Sequence, residues 1–402
     1  MNKVELLAPA GDLEKAKIAI DFKANAIYLG GKKYSLRARA NNFDINEIRL
    51  AIEYAHQHNA KVYLVTNILC HNGMVRDFKP YLDQLMILKP DGFICADPYI
   101  MKTIHDNYPE VEIHISTQQS VCNSKAALWW HKAIGVTRVV TAREVDFKNL
   151  AAMTKALKGT MDVEYFIHGA LCVGYSGHCM MSNNFSLRDA NVGGCAQSCR
   201  WNWELKDKDG NLISKKFTMS TKDICHVCHL SKLIEAGVAS FKVEGRMKSL
   251  HYNATICNNY YHALQDYYNN NLTEQRIKMY EADLDKAANR ETSIAWFDGQ
   301  PSQKQMLYRD SEKKIAQNFA FIVDEKVKDG YIVTSKNFFT CDDTFEVFGV
   351  NHDLITGIKI TSLFDLKDKT KVDKVNKPMY KYQITTTAQL DVGDIGRISI
   401  TK

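Results

Sequence analysis

Six of the eleven cysteines fall in one stretch: Cys172, Cys179, Cys195, Cys199, Cys225 and Cys228. Thiolates are ligands for soft metals, so this crowding is the strongest chemical signal in the chain. Zinc favours closely paired cysteines, and only Cys195 with Cys199 and Cys225 with Cys228 offer them. Iron–sulfur clusters tolerate wider spacing, because the separate corners of a cluster reach ligands on distant turns. Spacing alone leaves both open. Inert burial of free thiols is the alternative, but the surrounding Ser, Asn, Gly and Arg do not build an apolar core. Gly169, Gly174, Gly177, Gly193 and Gly194 suit a backbone that wraps tightly around something bulky.

The same stretch contains the parts of a cysteine hydrolase. His168 precedes Cys172 by four residues, and Asp189 or Asn191 follows; nucleophile, base and orienting group are what such chemistry requires. A protease gains nothing from the additional thiols, and the H-E-x-x-H pattern of a zinc protease is absent from the sequence.

Elements of alternating type must position these residues. Short β-branched runs are predicted as strands at Val4–Leu7, Ala26–Leu29, Lys61–Val65, Gly92–Ala96, Glu112–Ser116, Thr137–Thr141, Val163–Ile167 and Ser240–Val243. Between them, segments such as Leu13–Phe22, Ile45–His58, Val75–Leu88 and Lys125–Ile134 repeat apolar residues at helical spacing. Eight strand–helix units over roughly 250 residues predict a closed (β/α)8 barrel, with an open doubly wound sheet as the competing topology. About 70 residues separate the seventh strand from the eighth, far more than an ordinary βα loop needs, and all six clustered cysteines lie there. The domain reading is a barrel over 1–270 with an insertion at 168–238, a helical linker over 271–312, and a small C-terminal β-barrel over 313–402. The run from Asp365 to Lys381 carries six Lys among three Asp, read first as a solvated loop and second as a phosphate-contacting patch.

Hydrophobic residues at 45% and charged residues at 24% of the 402 exclude fibrous and wholly disordered classes. The net charge of +6 permits a nucleic-acid partner without demonstrating one. No apolar run approaches the roughly 18 residues of a membrane helix, and the opening residues show no basic-then-apolar leader, so a cytoplasmic protein with reduced thiols is expected.

The opening Glu5-Leu6-Leu7-Ala8-Pro9-Ala10-Gly11, the Tyr28-Leu29-Gly30-Gly31 strand end and the segment from Ser35 to Phe43 resemble the collagenase-like peptidase family of unknown mechanism. Phe166-Ile167-His168-Gly169-Ala170-Leu171-Cys172, Tyr175-Ser176-Gly177-His178-Cys179, Arg188-Asp189-Ala190-Asn191, Cys195-Ala196-Gln197-Ser198-Cys199-Arg200-Trp201 and the segment from Phe241 to Ser249 strengthen that resemblance. Within the family the sequence is most similar to members that hydroxylate the wobble uridine of tRNA to 5-hydroxyuridine with prephenate. Other members act on ribosomal RNA or a quinone precursor. The resemblance implies an iron–sulfur cluster, of the 4Fe-4S kind, on Cys172, Cys179, Cys195 and Cys225, with Cys199 as a possible substitute and Cys228 as a bystander.

Prephenate bears two carboxylates, which the planar fork of Arg binds bidentately. Arg37, Arg39, Arg143, Arg188 and Arg246 stand at strand ends or in the insertion, and Arg246 and Arg188 are the first choices. An ion pair to a neighbouring carboxylate is the plainer role for each. Glu244 and His168 end predicted strands, where barrel enzymes place their acids and bases. Tyr175, Trp201 and Trp203 are candidates to stack on a base drawn out of the RNA, with burial in a strand the alternative for the tryptophans. The C-terminal domain is expected to dock tRNA.

Overall fold

The structure is a computed structural model that describes residues 3–37, 40–309 and 317–399. Eight strands form the barrel: β1 (Glu5–Ala10), β2 (Ala26–Leu29), β3 (Lys61–Thr66), β4 (Gly92–Cys95), β5 (Glu112–Ile115), β6 (Arg138–Val140), β7 (Asp162–Gly169) and β8 (Ser240–Val243). Each is parallel to the next, and β8 closes the ring by pairing with both β7 and β1. The β/α alternation expected from the sequence is thus a closed barrel.

Local sequence explains the regularity. Helices Leu13–Asp21, Ile45–Gln57, Pro98–Asn107, Ser124–Ile134 and Phe147–Leu157 each start at an Asp or Asn whose side chain accepts from a backbone N–H of the first turn. Strand residues alternate between an outer layer under the helices and the barrel interior, where Leu7, Ala26, Tyr28, Tyr63, Val65 and Ile94 pack together. Deeper in the interior, Lys242 pairs with Glu164 at 2.6 Å, and Arg138 bridges Glu5 and Glu164. Burial works to raise the Glu164 pKa, but Lys242 and then Arg138 outweigh it and hold the carboxyl below its usual range.

The chain between β7 and β8 crosses the barrel mouth as short helical turns, a hairpin (Trp203–Lys206 with Leu212–Thr221) and a return strand, Asp223–Cys225. That return strand runs antiparallel to the end of β7, with Cys225 opposite His168. The stretch expected as a helical linker over 271–312 is helical at Glu274–Ala287 and then turns extended. Thr292–Ser293 adds to the return strand, and Met306–Arg309 adds to the hairpin. Residues 310–312 of that stretch lie outside the described residues.

The C-terminal region is an eight-stranded antiparallel sheet with its own apolar core, including Phe321, Phe339, Phe345 and Tyr382. Its ladders run in one open order, and none joins the two end strands among the described residues. In the Lys-rich run, Lys377 pairs with Asp368 at 2.9 Å and with Asp365 at 3.6 Å. The sheet is fastened to the barrel side: Phe348 and Ile395 belong to the barrel's outer core, and Phe348 meets Phe22 at 5.8 Å. Arg397, fully buried, reaches Asp283 of the helix Glu274–Ala287 and Glu346 of its own sheet. Replacing Arg397 with Met is expected to cost about 3–5 kcal/mol, because two carboxylates lose a buried partner. Urea denaturation of the whole chain measures this; an unchanged midpoint would contradict the role assigned to that contact.

Candidate functional site: a thiol-roofed cavity at the barrel mouth

A cavity of about 100 Å³ lies at the C-terminal ends of the strands, the active face of such barrels. Its floor comes from the strands and the residues just past them: Tyr28, Val65, Phe166, Lys242, Glu244 and Arg246, with Arg37 and Arg143 at the side. Its roof comes from the insertion, which contributes Cys172, Cys179, Cys195 and Cys199.

Glu244 is the only carboxylate on the described wall. Arg37 donates to one of its oxygens at 3.2 Å, and Arg143 stands 3.6 Å from the other while lying over the Phe166 ring. Burial pushes the Glu244 pKa upward, but Arg37 and then Arg143 overcome it, so the carboxyl sits below its ordinary value. The same pairing raises the pKa of Arg37, which the thiols of Cys195 and Cys172 raise further. Arg246 is buried with no carboxylate in contact among the described residues. It donates to Ser35 Oγ at 2.8 Å and to Asn42 Oδ1, and burial pulls its pKa down to about 10. Gly30 lets this guanidinium lie close: a Cβ there would stand 2.4 Å from Arg246 Nη2. The Nε–H groups of Arg143 and Arg246 are buried and have no partner among the described residues.

Two of the roof thiols sense their neighbours. Burial raises the Cys179 pKa, and Cys172 and Cys195 add to it. Burial likewise raises Cys199; Arg200 pulls it back, while Cys172, Cys195 and Cys179 push it up. Among the described residues no three metal-ligating side chains are drawn together closely enough for a single metal ion. Four thiols spread round one cavity fit the donor set of a polynuclear iron–sulfur group, whose corners are held separately.

Several residues expected at the site stand elsewhere. His168 is buried on the barrel exterior, 3.3 Å from Tyr260 Oη, and burial takes its pKa down to about 4, so its imidazole is neutral. The cause is a bulge. Phe166 is opposite Lys242 but His168 is opposite Val243, so one extra residue in β7 turns His168 away from the interior. Cys225 follows the same geometry: clamped opposite His168, it faces Tyr260 at 4.0 Å and is absent from the cavity wall, where Cys199 stands instead. Arg188 is exposed and off the wall. Tyr175 is 52% exposed and outside the wall, its hydroxyl 3.1 Å from Cys122 Sγ. Arg39 lies outside the described residues. Conversely, Lys242, Tyr28 and Gln118 line the cavity although sequence reasoning passed over them. A lysine inside an otherwise apolar barrel strand was the available signal, since such a charge must find a partner within.

The family model described as Peptidase family U32 matches residues 11–307, and that of the Peptidase family U32 C-terminal domain matches residues 316–397. The chain is 40% identical over 387 residues to tRNA hydroxylation protein P1 of Bacillus subtilis, covering 94% of this chain and 90% of that one. It is 35% identical over 260 residues to a 23S rRNA 5-hydroxycytidine synthase of Escherichia coli, covering 64% of this chain and 39% of that protein. A collagenase of Porphyromonas gingivalis is 31% identical over 303 residues, covering 72% of each chain. With both family models matched in order along one chain, and a relative aligned over nearly its whole length, this protein belongs to peptidase family U32.

Proposed function

We propose that this protein hydroxylates RNA, converting the wobble uridine of tRNA to 5-hydroxyuridine with prephenate as hydroxyl donor and an iron–sulfur group held by Cys172, Cys179, Cys195 and Cys199. The names of its relatives support hydroxylation of RNA, and tRNA in particular. One observation carries the co-substrate. Glu164 neutralises Lys242 from below, which leaves Arg37, Arg143 and Arg246 facing Glu244 alone, an excess of two positive charges on the cavity floor. A dicarboxylate matches that excess, and its oxygens satisfy the unpartnered Nε–H groups of Arg143 and Arg246.

The chain's own residues then have distinct tasks. Arg143 and Arg246 bind and orient the dianion. Glu244, ionised at neutral pH, fixes Arg37 and accepts the proton that leaves C5 of the base. The insertion covers the mouth and excludes water. An iron–sulfur group, when bound, supplies electron transfer. The C-terminal sheet is proposed to contact tRNA outside the modified loop.

Proteolysis gains no support from the geometry. No histidine is on the described wall, and the thiols of Cys179 and Cys199 are pushed up in pKa rather than activated. Nucleoside analysis of tRNA from cells with and without the gene tests the proposal. 5-Hydroxyuridine should disappear with the gene and return when it is restored; an unchanged level would refute a tRNA substrate.

A further inference from the structure

The outer surface of the insertion carries a row of rings that the cavity chemistry does not use. Phe185 and Trp203 lie 4.6 Å apart, and Trp203 and Trp201 are stacked at 5.8 Å with their planes 30° apart. Phe185 is 51% exposed and Trp201 is 41% exposed, so water covers rings that would normally be buried. The row is held fixed: the Trp203 indole N–H donates to Ser198 O at 3.0 Å. Ser198 itself lines the cavity, between Cys195 and Cys199, and the short helix Met181–Ser186 that bears Phe185 also contributes Met181 and Ser182 to the wall. Platform and cavity are therefore two sides of one structure. Three residues past Phe185, Arg188 is exposed and forms no ion pair among the described residues.

Rigid, exposed aromatic faces with an uncompensated guanidinium match single-stranded nucleic acid, whose bases stack and whose phosphates are anionic. An apolar protein partner would leave the Arg188 charge to be desolvated without return. We propose that Phe185, Trp203 and Trp201 form a stacking platform for unpaired bases of the tRNA anticodon loop, next to the base drawn into the cavity, with Arg188 on the adjoining phosphate. This rests on the RNA-hydroxylating reading above and adds where the loop is held. Removing one base from its stack costs a few kcal/mol, and stacking its neighbours on protein rings offsets that cost.

The test is the affinity of the full-length protein for an unmodified tRNA transcript and for its anticodon stem-loop, at one fixed salt concentration. Trp201→Ala and Phe185→Ala should each weaken stem-loop binding roughly 5- to 100-fold, while Trp201→Phe, which keeps a ring, should restore most of it. Arg188→Gln should reduce the salt dependence of binding by about one phosphate contact. Melting temperatures equal to wild type exclude misfolding as the cause. Wild-type affinity in both alanine variants would overturn the platform and leave the surface to a protein partner. A wild-type protein that binds neither RNA would instead refute the functional reading on which the platform rests.

Discussion

Glu244→Gln is expected to lower uridine hydroxylation by about 10²–10⁴-fold, the range for loss of a positioned proton acceptor. Two effects add. The amide cannot take the C5 proton, and Arg37 and Arg143 lose the carboxylate that holds them at 3.2 and 3.6 Å. The pH dependence has a definite sign. Because the arginines hold the Glu244 pKa below its ordinary value, the ionised form persists as pH falls, and its contribution is lost only below the usual carboxylate range. Activity should therefore show no acid limb from Glu244 between about pH 5 and 8, and the variant should be equally impaired across that window. Single-turnover hydroxylation with saturating prephenate measures both; a variant within a few-fold of wild type would exclude Glu244 from the chemistry.

The second large effect separates two cysteines that spacing alone could not. Cys199→Ser should abolish the broad absorbance near about 400 nm expected of thiolate-bound iron–sulfur groups, together with activity, because Cys199 is one of four thiols on the cavity roof. Cys225→Ser should retain that absorbance and the iron content, because Cys225 faces Tyr260 outside the wall. Anaerobic purification of both variants with iron and sulfide analysis decides the matter. A colourless Cys225→Ser protein beside a coloured Cys199→Ser protein would restore the ligand set implied by family resemblance and displace the one drawn from the geometry.

Much of the scaffold is legible in the sequence because its signals are local. Ala26–Leu29 and Ser240–Val243 are found at their predicted bounds, since β-branched runs are read over a few residues. The site is less legible because it depends on register and return paths. Strict alternation from Phe166 would put His168 inside the barrel, and a one-residue bulge in β7 reverses this. Cys225 has a sequence context like that of the other cysteines, yet its strand runs back antiparallel along β7 and turns the thiol toward Tyr260. No spacing rule contains that return. Arg246 lines the cavity, whereas Arg188, chosen on the same grounds, is exposed and off the wall.

RNA hydroxylation is the activity proposed for the arginine-lined floor beneath the four thiols. Purified, anaerobically prepared protein should be incubated with prephenate and unmodified tRNA, and the nucleosides analysed by mass spectrometry. 5-Hydroxyuridine is expected at the wobble position, formed only when protein, prephenate and tRNA are all present. Unmodified tRNA from protein that retains its iron and sulfide, alongside cleavage of a collagen-derived peptide by the same preparation, would contradict it.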